Sequence, residues 1–246
     1  VTLLVVRGDR EFRCEPDEQL HTDLGVLEIP ADVAPGDELT THLGEAFTVR
    51  ALRGPDLFAH FERTGAPMMP KDVGLVLGHT GVAAGDRVLD AGTGTGVLAA
   101  YMGRAGASVV TFEQDPDFAA VARENMRLAE AEDLVDVRAG DVTEALADPD
   151  ALADLGTFDV VTLDTSDAPT VVERAPDLLV PGGFVAVYSP FVEAARAVAE
   201  TARETGLAEV ETLETIQRRM DFDERGSRPS TAGVGHTGYL TFARNE

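Results

Sequence analysis

Residues 87–97 constrain this chain more than any other segment: an apolar run closing on Asp90 and Ala91, glycines at 92, 94 and 96, then Val97 and Leu98 opening a second apolar run. A strand that stops at alternating glycines and resumes as a helix is the first half of a βαβ unit. Its turn needs backbone conformations that residues with a Cβ rarely adopt. The pattern continues downstream. Strands are expected at 87–91, 108–113, 134–138, 158–164 and 184–188. Helices are expected at 96–104, 116–130, 168–179 and 192–206, with Asp115 as N-cap of the second. Residues 145–155 read as a loop or short helix. Strands alternating with helices imply a parallel sheet wound by right-handed crossovers. The first sixty residues differ, because short apolar runs are separated there by turn formers such as Gly8, Asp9 and Pro30, the spacing of a small β module. The expected architecture is α/β: a doubly wound sheet over residues 66–246, preceded by a small N-terminal β domain over residues 1–65.

In an open α/β sheet a ligand sits beyond the carboxyl ends of the strands where the strand order reverses, so the turn from Asp90 to Gly96 is the place for one. The glycines alone also fit a tight turn with no ligand, and Val97 stands where a dinucleotide-binding turn carries glycine. The second strand ends at Glu113, an acid able to accept both hydroxyl hydrogens of an adenosine ribose. The third is followed by Gly140 and Asp141, whose carboxylate could accept from an adenine amine, and the fourth ends at Asp164. Any one of these acids also fits a helix cap or a solvated loop. Together, Asp90, Glu113, Asp141 and Asp164 ring one crevice with negative charge, which repels a phosphate-bearing cofactor and attracts a sulfonium bearing an α-amino group.

The charge of the whole chain is as lopsided: 44 acidic residues against 20 basic ones, a net −24, with Lys71 the sole lysine. Such a surface repels itself in dilute buffer and is screened where salt is molar and the Debye length falls to about 3 Å, which points to a salty cytosol. An ordinary acidic enzyme is the plainer alternative. One cysteine, Cys14, leaves no internal disulfide and no cysteine-built metal site, and no metal is expected. Apolar stretches such as 178–187 are broken by Pro181, Gly182 and Gly183, short of the roughly 20 residues a membrane span requires. The opening run at 1–6 is followed by Arg7, Asp9, Arg10 and Glu11, so it reads as a strand rather than a leader, and a cytoplasmic location is expected.

At the crevice residues the chain resembles class I S-adenosylmethionine methyltransferases, and within them the archaeal and bacterial tRNA (adenine-N1)-methyltransferase family that forms 1-methyladenosine in the T-loop. The resemblance runs through His-Thr-Asp-Leu-Gly at 21–25, Met-Pro-Lys-Asp at 69–72, the segment 89–96, Phe-Glu-Gln-Asp-Pro-Asp-Phe at 112–118, and 235–244. Its most specific part is Arg228 and Pro229 followed by Gly-His-Thr-Gly at 235–238. It implies a Rossmann-like fold, S-adenosyl-L-methionine as cofactor, tRNA as partner, a homotetramer, a halophilic archaeal setting for so acidic a member, and methylation at tRNA position 58, with 57 as a second target. It implies cofactor contacts from Asp90, Gly92, Thr93, Gly94, Thr95, Gly96, Val97, Leu98, Glu113, Gln114, Phe118, Asp141, Val142 and Asp164. Among these, 95–98 would meet the methionine portion, Glu113 the ribose, Phe118 the adenosine side and Asp141 the adenine. Asp164 would be the catalytic carboxylate, facing cofactor and target base. Two positions depart from the family: Met69 replaces an aromatic or histidine before Pro-Lys-Asp, and 165–169 replace a loop containing Pro and Trp.

A tRNA is a polyanion, so the less acidic segments matter. Residues 50–72 carry Arg50, Arg53, Arg63 and Lys71 against Asp56, Glu62 and Asp72; residues 217–244 carry Arg218, Arg219, Arg225, Arg228 and Arg244 against Asp221, Asp223 and Glu224. Arg218, Arg219, Arg225 and Arg228 are expected along the RNA path, with internal or subunit ion pairs as the alternative. His236 reads as a hydrogen-bonded structural histidine on a final strand rather than a general base, and Tyr188 as a residue that stacks on the target base or packs in the core. Two other functions remain open at this level: methylation of a protein carboxyl or small molecule, and a non-catalytic relative that binds tRNA or cofactor.

Overall fold

The structure, a computed structural model, describes residues 2–233 and 235–246; Val1, head of the opening apolar run, lies outside them. Two compact units make up the chain: Val1–Phe61 with Arg127–Glu130, and Glu62–Met126 with Ala131–Glu246.

The first unit contains β1 (Leu3–Arg7), β2 (Arg10–Cys14), β3 (Gln19–Thr22), β4 (Gly25–Glu28), β5 (Glu38–Thr40), β6 (Ala46–Ala51) and α1 (Gly54–His60). It is the small β module the turn spacing implies. An antiparallel sheet of order β2-β1-β6-β5 lies beside the separate hairpin β3-β4. Alternation along β1 and β6 turns Leu3, Val5, Phe47 and Val49 to one face, where they bury with Cys14, Leu27 and Ile29. Burial pushes the Cys14 thiol up to about 11, so it stays protonated and serves the core.

The second unit runs α2 (Pro70–Thr80), β7 (Arg87–Ala91), α3 (Val97–Arg104), β8 (Ser108–Glu113), α4 (Pro116–Leu128), β9 (Val135–Ala139), α5 (Val142–Ala147), α6 (Pro149–Leu155), β10 (Phe158–Leu163), α7 (Ala168–Leu178), β11 (Leu179–Ser189), α8 (Val192–Glu204), β12 (Ala208–Glu214), β13 (Met220–Asp223), β14 (Gly226–Pro229) and β15 (Tyr239–Arg244). Asp115 caps α4 by accepting from the backbone N–H of Asp117 and Phe118, as its sequence position suggests. Residues 145–155 fall in two short helices, because Asp148 ends α5 and its carboxylate caps α6.

The sheet has the order β12-β15-β11-β10-β7-β8-β9. Strands β11, β10, β7, β8 and β9 are parallel. β15 is antiparallel to both β11 and β12, a departure from the all-parallel expectation. After β12 the chain turns out through the β13-β14 hairpin and returns without a crossover helix, so it re-enters pointing the other way. The central strands are largely apolar: Val160, Val161 and Leu163 of β10 are all buried, as a strand covered on both faces requires. The order reverses at β7, which has β8 on one side and β10 on the other, and this places the crevice at the ends of β7 and β10.

Candidate active site

The two strand ends at the crevice are stitched together. The backbone N–H of Asp164, just past β10, donates to the carbonyl of Ala91 at 2.8 Å, and that of Gly92 donates to Phe112 at 3.0 Å. Gly92 has φ +84°, and a Cβ there would lie 2.1 Å from the Asp164 carbonyl oxygen, so both conformation and space demand glycine. Gly94 donates its N–H to one oxygen of Glu113 at 2.8 Å, and Asp115 donates to the other at 3.1 Å. A carboxylate has about four lone-pair sites, which leaves Glu113 able to accept ribose hydroxyls as well. α3 begins at Val97 with no side-chain cap, so its first amides point into the crevice unclaimed by a side chain.

A cavity of about 280 Å³ opens here, near the lower end of small-molecule sites, roughly 300–1,000 Å³. Of the residues singled out from the sequence, Gly92, Gly94, Thr95, Glu113, Gln114, Phe118, Val142 and Asp164 line it. Asp90, Thr93, Gly96, Val97 and Leu98 line an adjoining lobe of about 40 Å³, together with Thr95 and Asp164. Asp141 is placed differently. Its carboxylate caps α5, accepting from the N–H and hydroxyl of Thr143 at 2.7 Å each and from Gln114 at 2.9 Å, while its neighbours Gly140 and Val142 reach the cavity. Those hydrogen bonds, the Thr143 hydroxyl first, hold it below the usual carboxylate range.

Two acids of the crevice are held above the usual carboxylate range, Asp90, which is buried, and Asp164. Asp90 accepts from the hydroxyls of Thr111 on β8 and Thr162 on β10, and Thr111 in turn meets Thr93. Burial pushes Asp90 upward and the two hydroxyls oppose it, so Asp90 serves as a strut joining three strands beneath the glycine turn. Asp164 has no such support. Burial, reinforced by the charge of Asp90, pushes it up to about 7.

On its other side Asp164 borders a more apolar cavity of about 450 Å³, walled by residues 165–166, Pro169, Tyr188, Pro190 and Phe191 and by α8 through Ala194, Ala197 and Val198. The Tyr188 hydroxyl donates to the Thr237 carbonyl, and a Cβ at Gly238 would strike the tyrosine ring, so one ring face rests on backbone. His236 precedes β15 rather than lying on a strand. Its Nδ1 meets Glu214 at 2.7 Å and its Nε2 the Pro190 carbonyl at 3.0 Å, which makes it the hydrogen-bonded histidine expected; these bonds, Pro190 first, raise its pKa.

The basic residues divide. Lys71 is one-tenth exposed and pairs with the buried Asp72 at 2.7 Å, and Arg50 is likewise paired with Glu11 and Asp56, so the basic residues of the 50–72 segment are partly taken up by ion pairs within the chain. Arg218, Arg219, Arg225 and Arg228 are all exposed on or beside the β13-β14 hairpin. Arg225 pairs with Asp223, Arg218 reaches the Ser230 carbonyl, and no ion pair of Arg219 or Arg228 is found among the described residues. Met69, almost half exposed, sits at the N-cap of α2.

Sequence reasoning missed the strap at Thr64, Gly65 and Ala66, which lines the cofactor-sized cavity, and Asn125, which holds it. Thr111 and Thr162 carried a readable signal, as lone hydroxyls inside apolar strands. Thr64 carried none.

Five comparisons bear on this geometry. Residues 62–227 match the family described as tRNA methyltransferase complex GCD14 subunit. The tRNA (adenine(57)-N(1)/adenine(58)-N(1))-methyltransferase TrmI of Methanocaldococcus jannaschii is 33% identical over 97% of this chain and 92% of its own length. The tRNA (adenine(58)-N(1))-methyltransferase TrmI of Thermus thermophilus is 29% identical over 87% of this chain and 82% of its own. Among solved structures, a SAM-dependent O-methyltransferase of Thermotoga maritima superposes with TM-score 0.81 at 25% identity, covering 99% of this chain and 92% of that one. TrmI of Aquifex aeolicus superposes with TM-score 0.75 at 22% identity, covering 100% and 97%, and shows the same fold. With a family match that begins where the second unit begins and a relative aligned along nearly its whole length, this chain belongs to the GCD14/TrmI family of tRNA methyltransferases.

Proposed function

We propose that the chain uses S-adenosylmethionine to methylate N1 of a tRNA adenosine, at T-loop position 58 with 57 as a second target. The observation that carries this reading is the placement of Asp164, one carboxyl shared by a polar cavity suited to the cofactor and an apolar cavity suited to a flat base. The cofactor-sized cavity fits its intended occupant on chemistry: Glu113 for ribose hydroxyls, an acidic surround for a cation, and two buried threonine hydroxyls, Thr64 and Thr95, that lack a partner among the described residues. When bound, the cofactor supplies an electrophilic methyl group on its sulfonium. Adenine N1 carries its own lone pair, so the protein need not create a nucleophile; it must position one and exclude water. Asp164, ionised, accepts from the exocyclic amine of the target, which orients the ring and stabilises the positive charge that methylation leaves on it. Pulling the base from its stack in folded tRNA costs a few kcal/mol, offset by burial against Tyr188 and Pro190.

The exposed arginines 218, 219, 225 and 228 form the RNA path in this reading, and a homotetramer in a salty cytoplasm is its setting; the net charge of −24 and the family resemblance support both. The name carried by the Thermotoga maritima structure favours a second reading, transfer to an oxygen of a small molecule. Methyl transfer from labelled cofactor, measured in molar potassium chloride with unmodified tRNA against a panel of phenols and carboxylates, separates the two. Label in tRNA supports N1 methylation; label only in the small molecules rejects it.

A further inference from the structure

The Gly-rich turn does not close the cofactor-sized cavity alone. Its facing wall is the strap at 64–66, which precedes α2 and belongs to the same compact unit as the turn. One buried side chain fixes the strap to the turn. Asn125 on α4, 3% exposed, accepts from the Glu62 backbone N–H at 3.0 Å and donates to the Glu62 carbonyl and the Thr95 carbonyl at 2.9 Å each. Both lone-pair and both N–H directions of an amide seldom find such use, and here three of its four bonds tie two backbone segments together.

What the clamp holds are two hydroxyls with nothing to bond. Thr64 Oγ1 and Thr95 Oγ1 are buried, line the same cavity, and have no hydrogen-bond partner among the described residues. Buried polar atoms are nearly always satisfied, so an unsatisfied pair on the wall of a cavity marks where a polar ligand group belongs. The chemistry of the walls selects the group. Glu113 occupies the end of β8 and suits ribose hydroxyls, whereas Thr95 stands beside the uncapped start of α3, where backbone amides favour an anion. The two hydroxyls, as donors, complete that anion site.

We infer that Thr64 binds the α-carboxylate of the cofactor's amino-acid end opposite Thr95, and that Asn125 is the positioning residue that holds the strap in place to do so. This rests on the cofactor reading above and adds to it a wall of the site from outside the βαβ unit. Removing the Thr64 hydroxyl leaves no protein group unpaired, so Thr64→Val keeps its fold while losing the contact.

The test is calorimetry in molar potassium chloride with two ligands: S-adenosylhomocysteine, and 5′-methylthioadenosine, which keeps the nucleoside but lacks the amino-acid end. Thr64→Val is expected to weaken S-adenosylhomocysteine about tenfold, the size of a hydrogen bond to a charged group. It should leave methylthioadenosine within about twofold, and Thr64→Ser should restore the loss. Asn125→Asp, which takes away the donors to the Glu62 and Thr95 carbonyls, should show the same ligand-selective loss. Equal weakening of both ligands by Thr64→Val, or no weakening of S-adenosylhomocysteine, overturns the assignment. If the unaltered protein binds neither ligand, the cofactor reading itself falls and takes the inference with it.

Discussion

Asp164 is held by burial, with Asp90 adding to the effect, at a pKa of about 7, so near neutrality only about half of it carries the charge the proposed contact requires. Turnover is therefore expected to rise between pH 6 and 8 and level off above; kcat that falls across this range would contradict an ionised Asp164. The same shift has a thermodynamic side. A carboxyl whose pKa is raised on folding binds its proton more tightly when folded, so its contribution to stability is full below about pH 4 and is lost as pH climbs through about 7. Asp164→Asn should lower turnover by at least a hundredfold yet stabilise the fold above pH 7, with no gain near pH 4. Thermal melts across that range check the sign. Asn125→Leu should cost about 2–4 kcal/mol, since it strands three backbone groups of Glu62 and Thr95. Residues at strand ends, such as Glu113 and Asp164, were legible in the sequence because topology assigns them a place. Thr64 was not, since it precedes α2 in a segment with no periodicity to locate it.

Strands and helices of the second unit follow from patterning that the chain displays openly. The glycines at 92, 94 and 96 mark the turn, and Asp115 marks the start of α4. Gly92→Ala tests how tightly the turn is built: a methyl 2.1 Å from the Asp164 carbonyl oxygen forces β7 and β10 apart at their ends. Loss of S-adenosylhomocysteine binding by at least tenfold is expected, together with destabilisation of about 3 kcal/mol or more. A variant that binds normally would mean the crevice adapts more readily than the packing indicates. Strand direction was the part hidden from sequence. Alternation of apolar residues is the same in either direction, so the antiparallel β15, and with it the position of His236 before a strand rather than on one, depended on where the β13-β14 excursion returns.

At the scale of the whole molecule, a net charge of −24 must coexist with a polyanionic partner. The exposed arginines of the 218–228 segment offer a local exception, whereas Lys71 and Arg50, equally visible in the sequence, are taken up by internal ion pairs that only the folded chain reveals. Replacing Arg218, Arg219, Arg225 and Arg228 together by serine should raise KM for tRNA several-fold and flatten its salt dependence, with S-adenosylhomocysteine affinity unchanged. An unchanged KM would remove these residues from the RNA path. The central claim, that this fold methylates N1 of a T-loop adenosine, is tested most directly by mass spectrometry of nucleosides with position mapping. Purified protein, S-adenosylmethionine and unmodified archaeal tRNA are incubated in molar potassium chloride. The account predicts 1-methyladenosine at position 58, with 57 as a second site; cofactor consumption without any methylated adenosine, or a methyl group elsewhere on the tRNA, would contradict it.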